Sequence, residues 1–134
     1  MVKTASDVCT CGRPAYFDAC CGLYLDHGLA APNAEALMRS RYSAYVLGRE
    51  TYLLATWHLA TRPTALHLNE EAAIGGTRWI SLDVKRHEQQ DETHAIVEFI
   101  ARYKVNGRAQ RLHEISRFVR EGGRWFYVEG DSKS

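Results

Sequence analysis

The sequence predicts an α+β fold, in which two to three N-terminal helices pack on a curved four-stranded antiparallel sheet. Helical periodicity covers residues 33–58, and strand-like segments separated by turn signals follow from residue 78 onward. Helices first and an antiparallel meander afterwards are typical of this class. The 134 residues suffice for one domain with a small appendage, and four clustered cysteines near the N-terminus predict a metal-binding motif there.

The helices have recognisable ends. Asn33 is a good N-cap for a first helix that runs to about Leu47, and Gly48 is a typical C-terminal stop. A second helix is predicted over residues 50–58, before the Arg-Pro pair that follows. A weaker helical segment covers residues 65–74.

The second half of the chain alternates as strands do. Asn106-Gly107 is a strong signal for a two-residue hairpin, and Gly122-Gly123 is another turn signal. The four predicted strands cover residues 79–87, 94–104, 110–120 and 124–129. We therefore divide the chain into a zinc motif (1–24), a linker (25–32), the α+β domain (33–130) and a tail (131–134).

Composition and charge restrict the function. Lys plus Arg number 17 and Asp plus Glu 16, and this balance argues against broad nucleic-acid binding, although it leaves a local basic patch open. No stretch is apolar enough for a membrane span, and the N-terminus lacks the apolar core of a secretory signal. We expect a cytoplasmic protein without membrane contact.

The four cysteines carry the strongest chemical signal. Cys9, Cys11, Cys20 and Cys21 lie within 13 residues, and four thiolates can close a tetrahedral shell around Zn²⁺ with no open position for water. A cytosolic setting disfavours disulfides. The pattern predicts one structural zinc ion, with a disulfide pair, a redox role and unmetallated thiols as the alternatives. We expect metal removal to unfold only about the first two dozen residues.

Two sets of segments resemble known families. CTCGRPAYFDACCG resembles the SEC-C motif, the small zinc-binding tail of the SecA translocation ATPase. LMRSRYSAYVLGRETYLLATWH, VEFIARY, HEISRF and GRWFYVEG are similar to the YchJ-like family of uncharacterised bacterial proteins. The resemblance implies a SEC-C zinc motif followed by a cone-shaped domain similar to nuclear transport factor 2, with no settled biochemical activity.

Polar residues occupy positions where the pattern requires apolar ones. Arg41 lies within the apolar arc of the first helix, and Glu114 lies on the aromatic face of the predicted sheet. We expect the two to meet as a buried ion pair, supported by Tyr45 and Ser116, or to bind a ligand together. The candidate pocket consists of Arg41, Tyr42, Tyr45, Trp57, His58 and Glu114.

Each candidate also has a simpler structural interpretation. The aromatic residues are ordinary core side chains in that interpretation, and His58 is a hydrogen-bonded rim histidine rather than an acid–base catalyst. Glu98, His113 and Arg117 share the opposite sheet face, which suits a solvated cross-strand cluster or a homodimer interface.

Three functions compete. A zinc-bearing binding module would contact a protein, the ribosome or the export machinery, as the SEC-C resemblance implies, and could also hold a small-molecule ligand. A small-molecule enzyme would use acid–base groups in the cone, for which His58, Glu114, Arg41 and Tyr45 are the candidates, and domains similar to nuclear transport factor 2 imply such pockets. Redox sensing by the thiols is the third. The first is preferred because structural zinc is the only strong chemical signal.

Overall fold

Four antiparallel strands form one sheet in the order β1-β2-β3-β4. The computed structural model describes residues 8–66, 68 and 77–133. The strands are β1 (Thr77–Gln89), β2 (His94–Val105), β3 (Arg108–Glu121) and β4 (Arg124–Ser132). The predicted meander is confirmed, although every strand is longer than the sequence pattern predicted, and β4 continues beyond the predicted domain end at residue 130.

Two tight turns fix the register of the sheet. Asn106 and Gly107 have φ values of 51° and 79°, as a two-residue hairpin turn with both φ angles positive requires. The resulting register places Phe99 opposite Glu114 and Val97 opposite Ser116. The prediction that Glu114 shares a face with the aromatic side chains is therefore confirmed.

The sheet is irregular at three points. The register shifts twice between β1 and β2, between Trp79 and Ser81 and between Val84 and Arg86, and once between β3 and β4 after Arg117. Such shifts bend a strand and increase its twist. They accompany a curved sheet whose inner face holds the apolar core.

Helix α2 (Ala34–Leu47) has the predicted ends. The Asn33 side chain accepts a hydrogen bond from the Ala36 amide at 2.8 Å, which satisfies one free N–H of the first turn. Gly48 follows in the left-handed region with φ 71°, the conformation that ends many helices. Both predicted signals are confirmed.

Helix α2 is buried on more than one side. Leu37, Met38 and Tyr42 join the core against the sheet, together with Val97, Phe99, Ala101, Phe118 and Trp125. Ser40 and Ser43 are also fully buried, although they do not belong to that core. A second layer must therefore cover the polar side of the helix.

The second predicted helix is shorter than expected. Helix α3 covers Glu50–Ala55, and the chain then bonds to β4: the His58 amide donates to the Tyr127 carbonyl at 2.7 Å, and the Tyr127 amide donates to the Thr56 carbonyl at 2.9 Å. These bonds replace the last helical turn. The predicted helix over 65–74 falls mostly on residues outside the described part of the chain.

The cysteine motif adds short elements. A 3₁₀ turn covers Phe17–Ala19, and helix α1 covers Gly22–Leu25, which extends one residue into the predicted linker. Among the described residues, no helix has the length and apolarity needed to cross a bilayer.

Replacing Asn33 by Ala tests the N-cap. We expect the free energy of unfolding to fall by about 1 kcal/mol, because the Ala36 amide loses its acceptor. Urea denaturation measures the loss. Asn33→Asp is the matched control and should leave stability unchanged, since a carboxylate accepts the same bond and suits the helix dipole. An equal loss in both variants would contradict the capping role.

Candidate metal centre and aromatic cavity

The four cysteines converge in one buried cluster. All four Sγ atoms lie within 4.8 Å of one another, and the Cys11 and Cys20 sulfurs are 3.7 Å apart. Each cysteine is buried and none is in a disulfide. Four thiols at this spacing could hold a metal ion.

Backbone geometry brings the two pairs together. The Cys9 amide donates to the Ala15 carbonyl at 2.8 Å, and Gly12 supplies a positive φ of 93° in the turn between them. Gly22 follows the second pair, and a Cβ there would come within 2.8 Å of the Phe17 carbonyl oxygen. The small residues of the motif therefore have a steric role.

The thiols cannot all ionise on their own. Burial, together with negative charge at Cys11, raises the pKa of Cys20 to about 12. Hydrogen bonding to Cys11 raises the pKa of Cys21, whereas hydrogen bonds from Cys11 and Cys21 lower the pKa of Cys9. A bound cation would allow all four to exist as thiolates, since it compensates the negative charges that otherwise repel one another.

The motif is joined to helix α2 by specific contacts. Thr10 Oγ1 donates to Ser43 Oγ at 2.7 Å, and Arg39 Nη1 donates to the Cys11 carbonyl at 3.1 Å. Glu35 accepts from both Arg13, at 3.2 Å, and Arg39, at 2.9 Å. The cysteine motif covers the polar side of α2 at Ser43, and Tyr52 of α3 covers it at Ser40, where the two hydroxyls lie 2.7 Å apart.

A cavity of about 220 Å³ lies between α2 and the inner face of the sheet. Its wall is mainly aromatic: Trp79 packs against Tyr42 and Tyr45 at ring-centroid distances of 5.9 and 5.7 Å, and Trp57 packs on Tyr127 at 5.0 Å. Burial raises the pKa of Tyr42 and Tyr127 to about 12, so both phenols stay protonated at neutral pH. The site is apolar with a few polar groups.

Arg41 brings a buried cation to this cavity. The residue is 3% exposed, and its Nη1 donates to the Leu53 carbonyl at 2.8 Å and to Thr56 Oγ1 at 2.7 Å. Its guanidinium carbon lies 5.0 Å from the Trp57 ring centroid and 4.6 Å from that of Tyr127. Within the described residues, Nε and Nη2 donate to no partner, so the cation keeps unused donors.

Glu114 supplies the opposite charge. Its Oε2 accepts from Ser116 Oγ at 2.7 Å, and a Cβ at Gly130 would overlap its carboxylate, so the glycine leaves room for this side chain. The Trp57 indole Nε1 is buried and finds no hydrogen-bond partner among the described residues. Together with Arg41, these groups give the site both donors and an acceptor.

The predicted direct pair between Arg41 and Glu114 is wrong. Both line the cavity, but no ion pair within 4.0 Å joins them in the described part of the chain. Arg41 instead bonds to the end of α3, where the Leu53 carbonyl receives no backbone N–H from the described residues because the helix stops at Ala55, and only the Thr56 hydroxyl also donates to it, at 3.3 Å. Helix-end carbonyls are cation acceptors that the sequence pattern did not single out.

The cavity brings together five of the six predicted pocket residues: Arg41, Tyr42, Tyr45, Trp57 and Glu114. His58 is not among them: its Nε2 lies 3.0 Å from Glu121 Oε2, and its Nδ1 accepts from the Ala60 amide at 3.0 Å. Because residues 57 and 58 run extended beside β4, their side chains point to opposite sides. The rim interpretation of His58 fits this placement.

The outer sheet face brings together two of the three residues of the predicted polar cluster, Glu98 and His113, whereas Arg117 pairs with acidic residues of β4. His113 Nε2 lies 2.7 Å from Glu98 Oε2, and an Arg117 Nη1 donates to Asp131 at 2.6 Å. These are partly exposed cross-strand contacts, as the structural interpretation expected. A homodimer through this face stays a prediction.

The comparisons agree with a SEC-C motif joined to a domain similar to nuclear transport factor 2. A family model described as the YchJ middle domain, similar to nuclear transport factor 2, matches residues 33–130. A UPF0225 protein of Chromobacterium violaceum is 57% identical over 131 residues, 96% of this chain and 95% of that protein. A UPF0225 protein of Polaromonas naphthalenivorans is 54% identical over 135 residues, 92% of this chain and 96% of that protein.

Two solved structures are similar over nearly the whole chain. One is a SEC-C motif containing protein from Rhodopseudomonas palustris, with a TM-score of 0.84 and 34% identity, covering 96% of this chain and 100% of that one. The other is a sec-c motif containing protein from Psychrobacter arcticus, with a TM-score of 0.78, 28% identity and coverage of 97% and 85%. The chain belongs to the YchJ family.

Replacing Arg41 by Met tests how its charge is held. We expect the free energy of unfolding to fall by about 1–3 kcal/mol, because the buried Leu53 carbonyl loses its charged donor. Urea denaturation measures this loss. Arg120→Met is the control, because Arg120 is exposed, and its free energy of unfolding should lie within about 0.5 kcal/mol of that of the parent.

Adding Glu114→Gln to Arg41→Met should not restore that stability, since the two side chains make no direct ion pair. Recovery of most of the loss in the double variant would show that Glu114 is the partner that holds the cation.

Proposed function

We propose that the protein is a zinc-stabilised binding module whose aromatic cavity holds a small neutral or zwitterionic molecule. One observation carries the proposal: Arg41 and Glu114 line the same cavity without pairing with each other. Buried charges normally pair directly, because their desolvation is otherwise uncompensated. A ligand between them would accept from the Arg41 N–H groups that the end of α3 leaves free and donate to the Glu114 carboxylate.

The ligand class follows from charge and size. The described lining residues carry one cation and one carboxylate, which sum to zero, so the cavity favours a molecule with no net charge that accepts from Arg41 and donates to Glu114. The remaining wall is aromatic and matches an apolar body. At about 220 Å³ the cavity is smaller than most ligand pockets, which favours a compact molecule.

The cysteine geometry supports zinc as the metal. With Zn–S bonds of about 2.3 Å, neighbouring sulfurs of a tetrahedral site lie about 3.8 Å apart. The Cys11–Cys20 separation of 3.7 Å equals that edge within the precision of the value, and the largest separation in the cluster is 4.8 Å. The four sulfurs would hold zinc as a structural ion. We also propose that the protein is cytoplasmic, since the cytosol keeps thiols reduced.

We expect one zinc ion per chain in protein purified without added metal. Elemental analysis tests this, and Cys21→Ser should lower the zinc content strongly because it removes a ligand. Ser43→Ala is the matched control: it removes the hydroxyl that bonds to Thr10 and lies 4.0 Å from Cys9 Sγ, but it leaves all four sulfurs, so zinc should remain. A metal-free parent with an ordered motif would contradict the assignment.

The contacts between the cysteine motif and α2 change the expected effect of chelation on hydrogen exchange. Because Thr10, Arg13 and Cys11 bond to α2, metal removal should increase hydrogen exchange in α2 as well as in the motif. The amides of the sheet should stay protected from hydrogen exchange. Exchange confined to the first two dozen residues would contradict this coupling.

A fragment screen tests the cavity. We expect compact neutral amides and zwitterionic amino acids with apolar bodies to shift the indole NMR signals of Trp57 and Trp79, which line the cavity, more than that of Trp125. Glu114→Gln keeps the size and the acceptor for Ser116 but removes the charge. It should weaken zwitterion binding about tenfold, the effect of one charge-assisted hydrogen bond.

Arg120→Met is the control for this screen, because Arg120 is exposed and does not line the cavity, and its affinities should equal those of the parent. The proposal fails if no fragment shifts the two cavity indoles, or if singly charged anions or cations bind better than neutral and zwitterionic fragments.

Catalysis is the weaker alternative. Of the four predicted acid–base groups, His58 lies outside the cavity and Arg41 is a buried cation bonded at α3. Glu114 and Tyr45 remain, and no histidine joins them among the described residues of the cavity wall. This set favours binding over acid–base chemistry.

Contact with a protein of the translation or export machinery is a second proposal. Val8 and Tyr16 form a β-bridge on the cysteine motif, and their exposed fractions are 56% and 62%. Exposed apolar side chains on a rigid motif favour a protein contact. The SEC-C resemblance points to the same class of partner.

A further inference from the structure

Four exposed cations share one end of the outer sheet face. The register of β1, β2 and β3 places Arg78 directly opposite Lys104, and Arg102 directly opposite Arg111. All four side chains are exposed. Together they form a compact array of positive charge, here called the hairpin array (Arg78, Arg102, Lys104 and Arg111).

Among the described residues, the hairpin array forms no close ion pair, and Asp83 interacts with Arg102 only at longer range. Elsewhere on the same face, Arg86 approaches Glu98 at 3.5 Å and Arg117 approaches Asp131 at 2.6 Å. Within the described residues, no member of the array has a carboxylate within 4.0 Å. The contrast distinguishes the array from the salt-bridged surface beside it.

Without a bound anion, the four neighbouring positive charges destabilise the folded protein. Like charges directly opposite each other on a sheet repel and destabilise the pair of strands. The array also borders a surface groove of about 460 Å³, whose wall includes Arg102, Lys104 and Arg111 together with Ala109 and Ile80, and Ile80 is 52% exposed. An anionic ligand in the groove would relieve the repulsion.

We propose that the hairpin array binds the phosphate backbone of a single-stranded nucleic acid, for which an RNA oligonucleotide is the probe. Three of its members are arginines, whose planar fork matches phosphate oxygens. Successive outward residues on a strand are about 7 Å apart and neighbouring strands about 5 Å apart, so the array presents charges in rows. A chain with regularly repeated charges fits these rows, and a groove admits a strand but not a flat bilayer surface.

This site is separate from the cavity. The array lies on the outer face of the sheet, whereas Glu114 and the aromatic wall belong to the inner face. The net charge of +1 for the whole chain predicts weak binding that depends strongly on salt. The array would therefore be a local nucleic-acid contact on a protein whose composition argues against broad nucleic-acid binding.

Fluorescence anisotropy with a labelled 12-nucleotide oligouridine tests the array. Four neutralised phosphates on a single strand give a slope of about −3 for log K against log salt concentration. Arg102→Gln and Arg111→Gln should each weaken binding and reduce the slope by about 0.7, because each removes one phosphate contact.

Arg86→Gln and Arg117→Gln are the matched controls. Both lie on the same sheet face and are already paired with carboxylates, so RNA affinity should not change. The urea midpoints of Arg102→Gln and Arg111→Gln should equal or exceed that of the parent, since each relieves like-charge repulsion. Glu114→Gln should leave RNA binding unchanged, which separates this test from the cavity proposal.

Three results would overturn the proposal. The first is a slope weaker than about −1, which four phosphate contacts cannot give. The second is an equal loss of RNA affinity in the array variants and in Arg117→Gln. The third is tighter binding to polyglutamate, or to phosphatidylglycerol vesicles, than to the oligouridine at the same salt concentration.

Discussion

The hydroxyl groups of Thr10 and Ser43 meet at 2.7 Å between the cysteine motif and helix α2, at a point where α2 has no contact with the sheet core. This contact closes a second layer over a helix whose other side already packs on the sheet. With the sheet on one side and the cysteine motif and Tyr52 on the other, nine of the fourteen residues of α2 are buried, including Ser40 and Ser43. Because the helix is covered on both sides, the metal motif and the cavity share one structural element.

The same helix explains how a buried cation is tolerated. Arg41 is held by the free carbonyl end of α3 and by two aromatic faces, so its desolvation is offset without a carboxylate. Because these contacts hold the guanidinium from one side, its other N–H groups remain available at the cavity. Gly130 has a comparable effect on Glu114, since the missing side chain gives the carboxylate its space. The two charges are therefore positioned before any ligand arrives.

The two faces of the sheet have different electrostatics. The inner face is aromatic and carries Glu114 as its charged residue in the cavity wall, whereas the outer face is covered with charged side chains. On the outer face, acidic residues of β2 and β4 neutralise the cations at one end, whereas no carboxylate in the described part of the chain lies within 4.0 Å of the hairpin array at the other. One sheet can thus support an apolar ligand site and a polyanion surface that do not interfere with each other.

The sequence by itself determined the features that depend on local interactions. The N-cap at Asn33, the stop at Gly48, the turn at Asn106-Gly107 and the clustering of the cysteines follow from short-range chemistry, and the inner-face position of Glu114 follows from the hairpin register. Only the tertiary structure decided the rest. Bonds between Thr56 and Tyr127 end α3 early and turn His58 away from Trp57, and Arg41 bonds to a helix end rather than to Glu114. Periodicity cannot predict these outcomes, because they depend on backbone groups that meet only after the strand and helices have packed.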